Sequence, residues 1–422
     1  MGLEISEKKK DLLKRYAHRF GEMRVRTMSH VGLDIFETER RGCISRDVDG
    51  REILDALALQ GVFNLGRRHP VLVDVLKKAL GNLDMGNNFL MSEEKLLLAD
   101  KLAATTPGDL NCAFFSSTGS EAVDLAIKLA RGFTGKTGII SANECYHGIT
   151  GFALSTNSNP DYTEPFGPLM PGFSHVPFGD IEALRKEISE DTAAVIFEPM
   201  IAEAGLLIPP EDYFIQIREL CDQFETLLII DEVVTGLGRT GKFWAIEHSA
   251  GVIPDIMISA KGLTGGLYPM AATMFTEDVA SFFLTYPYSH YSSTSGSDIG
   301  CVVASALIDI INTPDFLKEV IKKGERLADG YKDLLEKHPE LLESYGQIGL
   351  HTVLRLADPA GGFRMNRYLA EEGVFALLAT NNTAAIRIQP PLIISESQID
   401  RIIDALDLAL EKMKPKSARR QI

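Results

Sequence analysis

Tryptophan occurs once and cysteine five times in the 422 residues of this chain. The cysteines, at 43, 112, 145, 221 and 301, are odd in number and never fall in a Cys-x-x-Cys spacing, which argues against a disulfide framework and against a zinc ribbon. Histidines are scattered without metal-ligand spacing, so no metal site is expected. No apolar run is long enough to span a bilayer, and the N-terminal stretch around Lys8-Lys9-Lys10-Asp11 lacks the apolar core of a secretory signal. A cytosolic location is expected. Positive charge is also in deficit: 43 basic against 58 acidic residues give a formal charge of −15, which disfavours nucleic acid or an anionic membrane as partner. Internal repeats and low-complexity segments are absent.

What is present is apolar bulk. With 45% apolar residues the chain can bury a large core, and its length suits two or three domains. Residues 1 to about 28 read as one charged helix with Leu12, Leu13 and Tyr16 on one side, placed to cover a partner subunit. Residues 1–70 as a whole are expected to contribute to a small domain and a dimer arm, with strand-like runs such as Gly42 to Val48 ended by the Asp49-Gly50 turn. A large α/β domain is expected over 71–308, with buried strands at 112–115, 138–141, 193–197, 226–230 and 256–259. The C-terminal portion, 309–422, should hold a helix from Leu317 to His338, short strands near Leu350 to Leu356 and Ala385 to Ile388, and a last helix from Glu396. The tail from Lys414 to Arg420 is expected to be disordered.

Chemistry enters where charge interrupts apolar runs. The run Ile253 to Ala260 ends in Lys261 and the flexible Gly262-Leu263-Thr264-Gly265-Gly266, and Thr226 to Ile230 ends in Asp231-Glu232. An amine and a carboxylate at the ends of buried strands suit pyridoxal phosphate, whose aldehyde needs a lysine and whose pyridine nitrogen needs an acid. Singly, each residue reads as readily as a solvated charge or a helix start. Phe114-Phe115 leads into Ser116-Ser117-Thr118-Gly119-Ser120, and Ala122, Leu125, Ala126 and Leu129 follow at helical spacing. A helix start of this kind offers N–H groups, hydroxyls and a positive dipole end, so Thr118, Gly119 and Ser120 can hold a phosphate; an ordinary capped helix has the same pattern. Tyr146, followed by His147, could stack on a flat ring or serve as a plain packing aromatic.

In this order the segments resemble the class III pyridoxal-phosphate aminotransferases, which include the ornithine, acetylornithine, 4-aminobutyrate and diamine enzymes and glutamate-1-semialdehyde aminomutase. The resemblance extends over about residues 30 to 412, from Val48-Asp49-Gly50-Arg51 and Asn64-Leu65-Gly66-Arg67-Arg68-His69-Pro70 through Glu198-Pro199, Asp231-Glu232-Val233, Gly238-Arg239-Thr240-Gly241 and Lys261 to Ser293-Thr294 and Arg387. It implies fold type I: a large domain with a mixed, mostly parallel seven-stranded sheet flanked by helices, plus a smaller α+β domain built from both chain ends. It also implies that Lys261 binds the cofactor and shuttles a proton, that Asp231 pairs with the pyridine nitrogen, and that Gly119 and Ser120 bind phosphate. By the same resemblance Tyr146 stacks on the ring, with His147, Glu198 and Val234 beside the cofactor. Thr294 would reach the phosphate of a neighbouring subunit, making a homodimer, or a dimer of dimers, with shared active sites.

Substrate choice rests on two further matches. Glu203, in Ile201-Ala202-Glu203-Ala204-Gly205, and Arg387, before Gln389-Pro390-Pro391, resemble the family's gate. There the two pair when an amine or ω-amino acid binds, and the arginine grips the carboxylate of 2-oxoglutarate or glutamate instead. A permanent structural ion pair is the plainer alternative. Phe89, Asn87-Asn88 and Phe63 are expected near the pocket. The implied reaction is transfer of an amino group from an amine or amino acid to 2-oxoglutarate, ping-pong through pyridoxamine phosphate. An aminomutase or racemase is the alternative within the family, and a silent binding protein on the same fold the alternative outside catalysis. Val234 stands where many members carry glutamine, Arg67 where histidine is usual, and Cys145-Tyr146-His147-Gly148 resembles the aminomutase branch.

Overall fold

Apolar runs alternating with amphipathic helices build a seven-stranded sheet in the computed structural model, which describes residues 5–87 and 89–414. In spatial order its strands are Cys112–Ser116, Ala271–Phe275, Ile256–Ser259, Leu227–Asp231, Thr192–Phe197, Gly138–Ala142 and Phe173–Val176. Ala271–Phe275 runs antiparallel to both neighbours; the other pairs are parallel. Every residue of Thr192–Phe197, Leu227–Asp231 and Ile256–Ser259 is buried, as parallel strands covered on both faces require. The helix Gly119–Thr134 lays Ala122, Leu125, Ala126 and Leu129 on the sheet beside Ile196, Ile229 and Ile258. This is the mixed, mostly parallel sheet of fold type I.

That sheet belongs to a unit spanning Pro70–Val320. The second unit combines the two chain ends, up to His69 and from Ile321 onward, and holds two four-stranded sheets. One joins Glu37–Arg41, Ile44–Asp47 and Glu52–Asp55 to Val374–Phe375, which pairs in parallel with Glu52–Asp55 and so ties the two ends of the chain together. The other orders Leu342–Ile348, His351–Leu356, Ala385–Ile388 and Leu377–Leu378.

Several boundaries differ from expectation. The N-terminal helix is two helices, Glu7–Phe20 and Glu22–His30, because Gly21 takes φ 101° between them. Lys9, within the charged run, is buried against Asp47 with Nζ 2.7 Å from Oδ2, rather than solvated. The expected break at 308/309 falls inside the helix Asp298–Ile311, and the unit continues to Val320. The Leu317 to His338 helix begins three residues earlier, at Pro314, and ends at Lys337. Tail residues 415–420 and Asn88 lie outside the described residues. Among the described residues no single helix is long and apolar enough to cross a membrane.

Candidate active site

The parallel strands Gly138–Ala142, Thr192–Phe197, Leu227–Asp231 and Ile256–Ser259 bring their C-terminal ends to one edge of the sheet. Candidate residues sit at or follow each end: Tyr146 and His147 after the first, Glu198 and Glu203 after the second, Asp231 at the end of the third, Lys261 after the fourth. Open α/β sheets bind ligands at such an edge. Asp231 pairs in register with Ile258, so Asp231 and Lys261 emerge from neighbouring strands.

Asp231 is buried, yet both carboxylate oxygens have partners. Oδ2 lies 2.7 Å from His147 Nδ1, and Oδ1 accepts the Val233 N–H at 2.9 Å. Burial acts against charge on His147, but neighbouring Cys145 and Asp231 hold the imidazole well above its ordinary range. Lys261, half-buried, opens a short 3-10 turn with φ 44°, a left-handed conformation that costs an L-residue about 1–2 kcal/mol. Strain of this kind collects at functional sites.

Thr118 caps the helix Gly119–Thr134 in a capping box with Glu121. The N–H groups of Gly119 and Ser120 then take no partner from the described residues. A Cβ added to Gly119 would touch Ala260 at 3.4 Å and Val233 at 3.5 Å, which puts these free donors against the turns that carry Lys261 and Asp231. The groups present suit pyridoxal phosphate: a lysine and a buried carboxylate at the ends of neighbouring strands, beside a helix end with unpartnered N–H groups. Val234 is half-buried and, as a hydrocarbon, can supply no hydrogen bond where glutamine is usual.

Tyr146 is fixed by its backbone, its N–H donating to Glu198 Oε1 at 3.0 Å. Its ring meets Tyr162 edge to face, centroids 5.6 Å apart. Glu203 is buried on a tight hairpin closed by reciprocal Ile201–Leu207 backbone hydrogen bonds of 3.0 Å. Phe89 is exposed and stacks on Tyr291 at 5.3 Å, and Thr294 is exposed on the following turn. Arg387 belongs to the other unit, buried in the strand Ala385–Ile388, with Nη2 donating to the Leu378 carbonyl at 3.3 Å.

Burial pushes the Glu198 carboxyl up from 4.5 to about 7; the His147 imidazole opposes this, and the Asp231 and Glu203 carboxylates add to it. A folded-state value above the unfolded one means the contribution to stability is full below pH 4.5 and is lost as pH rises toward 7. Glu198→Gln keeps an oxygen for the Tyr146 N–H without a charge. The variant should match the parent near pH 4.5 and exceed its stability by roughly 1–3 kcal/mol at pH 8, measured by melts across that range. A difference that does not vary with pH would remove the buried-charge account.

Neither Tyr162 nor the Glu198 bond to Tyr146 follows from spacing along the chain. The grouping of His338, Asp407 and Glu411, whose oxygens and nitrogens lie within 4.8 Å of one another, does not follow from it either. Lys337 and Lys414 already neutralise those two carboxylates, at 2.6 and 2.9 Å, so the cluster offers a divalent cation little charge.

Comparison with known proteins agrees with the geometry. The class III aminotransferase family matches residues 26–410. An uncharacterized aminotransferase of Archaeoglobus fulgidus is 41% identical over 411 residues, 97% of this chain and 96% of that protein. The crystal structure of a transaminase from the marine bacterium Virgibacillus superposes with a TM-score of 0.88 at 29% identity, covering 96% of this chain and 99% of that one. An amine transaminase from an uncultivated Pseudomonas species, solved in its PLP-bound form, gives 0.82 at 27% identity over 90% and 95% of the two chains. The chain belongs to the class III aminotransferases and is a transaminase dependent on pyridoxal phosphate.

Proposed function

We propose that the enzyme moves an amino group from an amine or ω-amino acid to 2-oxoglutarate. Bound pyridoxal phosphate supplies an electron sink for the bond broken at the substrate's amine-bearing carbon. Lys261 Nζ would hold the cofactor and carry the proton to and from that carbon. Asp231, oriented by His147, keeps a proton on the pyridine nitrogen, and the Gly119 and Ser120 N–H groups bind the phosphate. The reading is carried by the Asp231–His147 pair, a buried 2.7 Å contact at a strand end adjacent to that of Lys261.

Two buried ionic residues support the choice of substrates: Glu203 at 6% and Arg387 at 2% exposure. The planar fork of a guanidinium grips a carboxylate by two parallel hydrogen bonds, and a 2-oxo acid offers such a carboxylate. Glu203 would answer it when the donor carries no carboxylate. The donor's product then leaves before the acceptor binds, which gives ping-pong kinetics. The exposed Thr294 would complete the phosphate site of a second subunit in a cytosolic homodimer.

Spectral titration of the loaded enzyme tests this. A panel of amines and amino acids should bleach the absorbance of the lysine-bound cofactor, and 2-oxoglutarate should restore it. A band that survives every donor while an amino acid is racemised or isomerised would replace the transaminase scheme with an isomerising one.

A further inference from the structure

The helix Gly119–Thr134 and the segment that follows Tyr146 and His147 are joined by side chains one turn apart on the helix. Ser120 Oγ accepts the Ile149 N–H at 3.3 Å, and Asp124, four residues on and so on the same face, makes two contacts. Its Oδ2 accepts from the Thr150 hydroxyl at 2.9 Å and its Oδ1 from the Ala153 N–H at 2.8 Å. Thr150 precedes the short helix Gly151–Ser155, but its side chain does not cap it. Asp124 does so from the neighbouring helix, taking the N–H that a capping oxygen ordinarily receives. The two elements also lie close: Gly148 has φ 111°, and a Cβ there would run into the Ser120 side chain. A carboxylate that accepts two hydrogen bonds is a stronger tie than a 3.3 Å contact to a hydroxyl, so Asp124 carries most of the join.

We propose that Asp124 is a positioning residue that fixes the ring-stacking segment against the phosphate-binding helix end. One side of the join is the helix whose Gly119 and Ser120 N–H groups are assigned to the phosphate; the other is the segment that opens with Tyr146 and His147. Both assignments rest on the site reading above. The remaining anchors of that segment lead away from the helix. The Tyr146 N–H goes to Glu198 and His147 Nδ1 to Asp231, at the ends of sheet strands, and the Gly148 carbonyl accepts from Asn157 Nδ2 at 2.7 Å. Asp124 therefore sets the spacing between the place of the phosphate and the place of the ring, two parts of one stiff cofactor. It acts through Thr150 and Ala153 and is assigned no contact with the cofactor itself.

The test compares the parent with Asp124→Ala and Asp124→Asn. Asparagine keeps the join without its charge, its oxygen accepting the Ala153 N–H and its amide donating to the Thr150 hydroxyl, whereas alanine removes it. In the cofactor-free proteins, alanine should speed hydrogen exchange over residues 146–153 by about ten-fold, and asparagine by no more than about two-fold. Affinity for inorganic phosphate, measured by calorimetry, should stay within about two-fold in all three, because the Gly119 and Ser120 N–H groups are untouched. Affinity for pyridoxal phosphate should fall about ten-fold with alanine and recover with asparagine. The visible circular dichroism per bound cofactor, which reports the setting of the ring, should change with alanine alone. A merely structural role would lower the melting temperature of the alanine variant but leave that dichroism and affinity as in the parent, which would overturn the proposal. Equal losses of phosphate and pyridoxal phosphate would overturn it too, since Asp124 would then support the helix end itself. A parent that never acquires cofactor absorbance would refute the site reading and the positioning role built on it, while exchange over residues 146–153 would still show whether Asp124 holds the segment.

Discussion

Lys261→Ala is expected to abolish the absorbance of the lysine-bound cofactor and to lower transamination by about 10⁴-fold or more. Proton transfer by a positioned side chain is worth about 10²–10⁴-fold, and this lysine would also hold the cofactor covalently. The fold should survive. Ala260 before it is buried and Gly262, Leu263 and Thr264 after it are buried, so the turn is set by its neighbours, and alanine keeps the Cβ that the left-handed φ of 44° already tolerates. Melting of the cofactor-free variant should therefore stay close to that of the parent. A variant whose spectrum is unchanged would remove Lys261 from the mechanism, and one that loses spectrum and fold together would leave its role structural.

Arg387→Ala should separate the two substrates. The guanidinium lies mid-strand, its backbone paired with Val353 on one side and Leu377 on the other, so the side chain has a fixed origin. A bidentate, charge-assisted grip on a carboxylate is among the stronger polar contacts. Its removal should cut kcat/KM for 2-oxoglutarate by roughly 10²–10³-fold while an amine donor loses only a few-fold. Lysine at this position would keep charge but not the planar fork, and should recover only part of the loss. Equal losses for donor and acceptor would reduce the pair of Glu203 and Arg387 to a structural one.

How much of this was legible depended on whether the signal lay along the chain. Leu227 to Ile230 and Ile256 to Ile258 announce buried strands because three or four apolar residues in succession have nowhere else to go, and the charges that follow mark the exit from the core. Phe173–Val176 escaped notice because it is an edge strand carrying Ser174 and His175, and Ala271–Phe275 because its small residues suit a helix equally well. The hairpin partner Leu342–Ile348 was also missed, its Glu343, Ser344 and Gly346 being poor strand formers held by pairing with His351–Leu356. Lys261, Asp231 and the phosphate turn were readable for the same reason as the strands. Tyr162 and the bond from the Tyr146 N–H to Glu198 were not, since both depend on neighbours that only the folded sheet edge assembles. Nor did the sequence signal Ala58, Leu59 and Gln60, all with φ between 48° and 57°, whose conformation is held in part by the Asp55 carboxylate accepting the Leu57 and Ala58 N–H groups.

The scarcity of tryptophan has a practical side. Trp244 is fully buried in the unit Pro70–Val320, edge-on to Phe243 at 4.9 Å, its Nε1 donating to Thr105 at 3.2 Å. A shielded indole emits toward the blue, and because it is the only one in the chain, light absorbed by tryptophan alone reports a single address. A red shift during denaturation dates the opening of that unit and says nothing of the other. Circular dichroism recorded alongside sees both, so any lag between the two signals measures whether the two units of this enzyme come apart together or in turn.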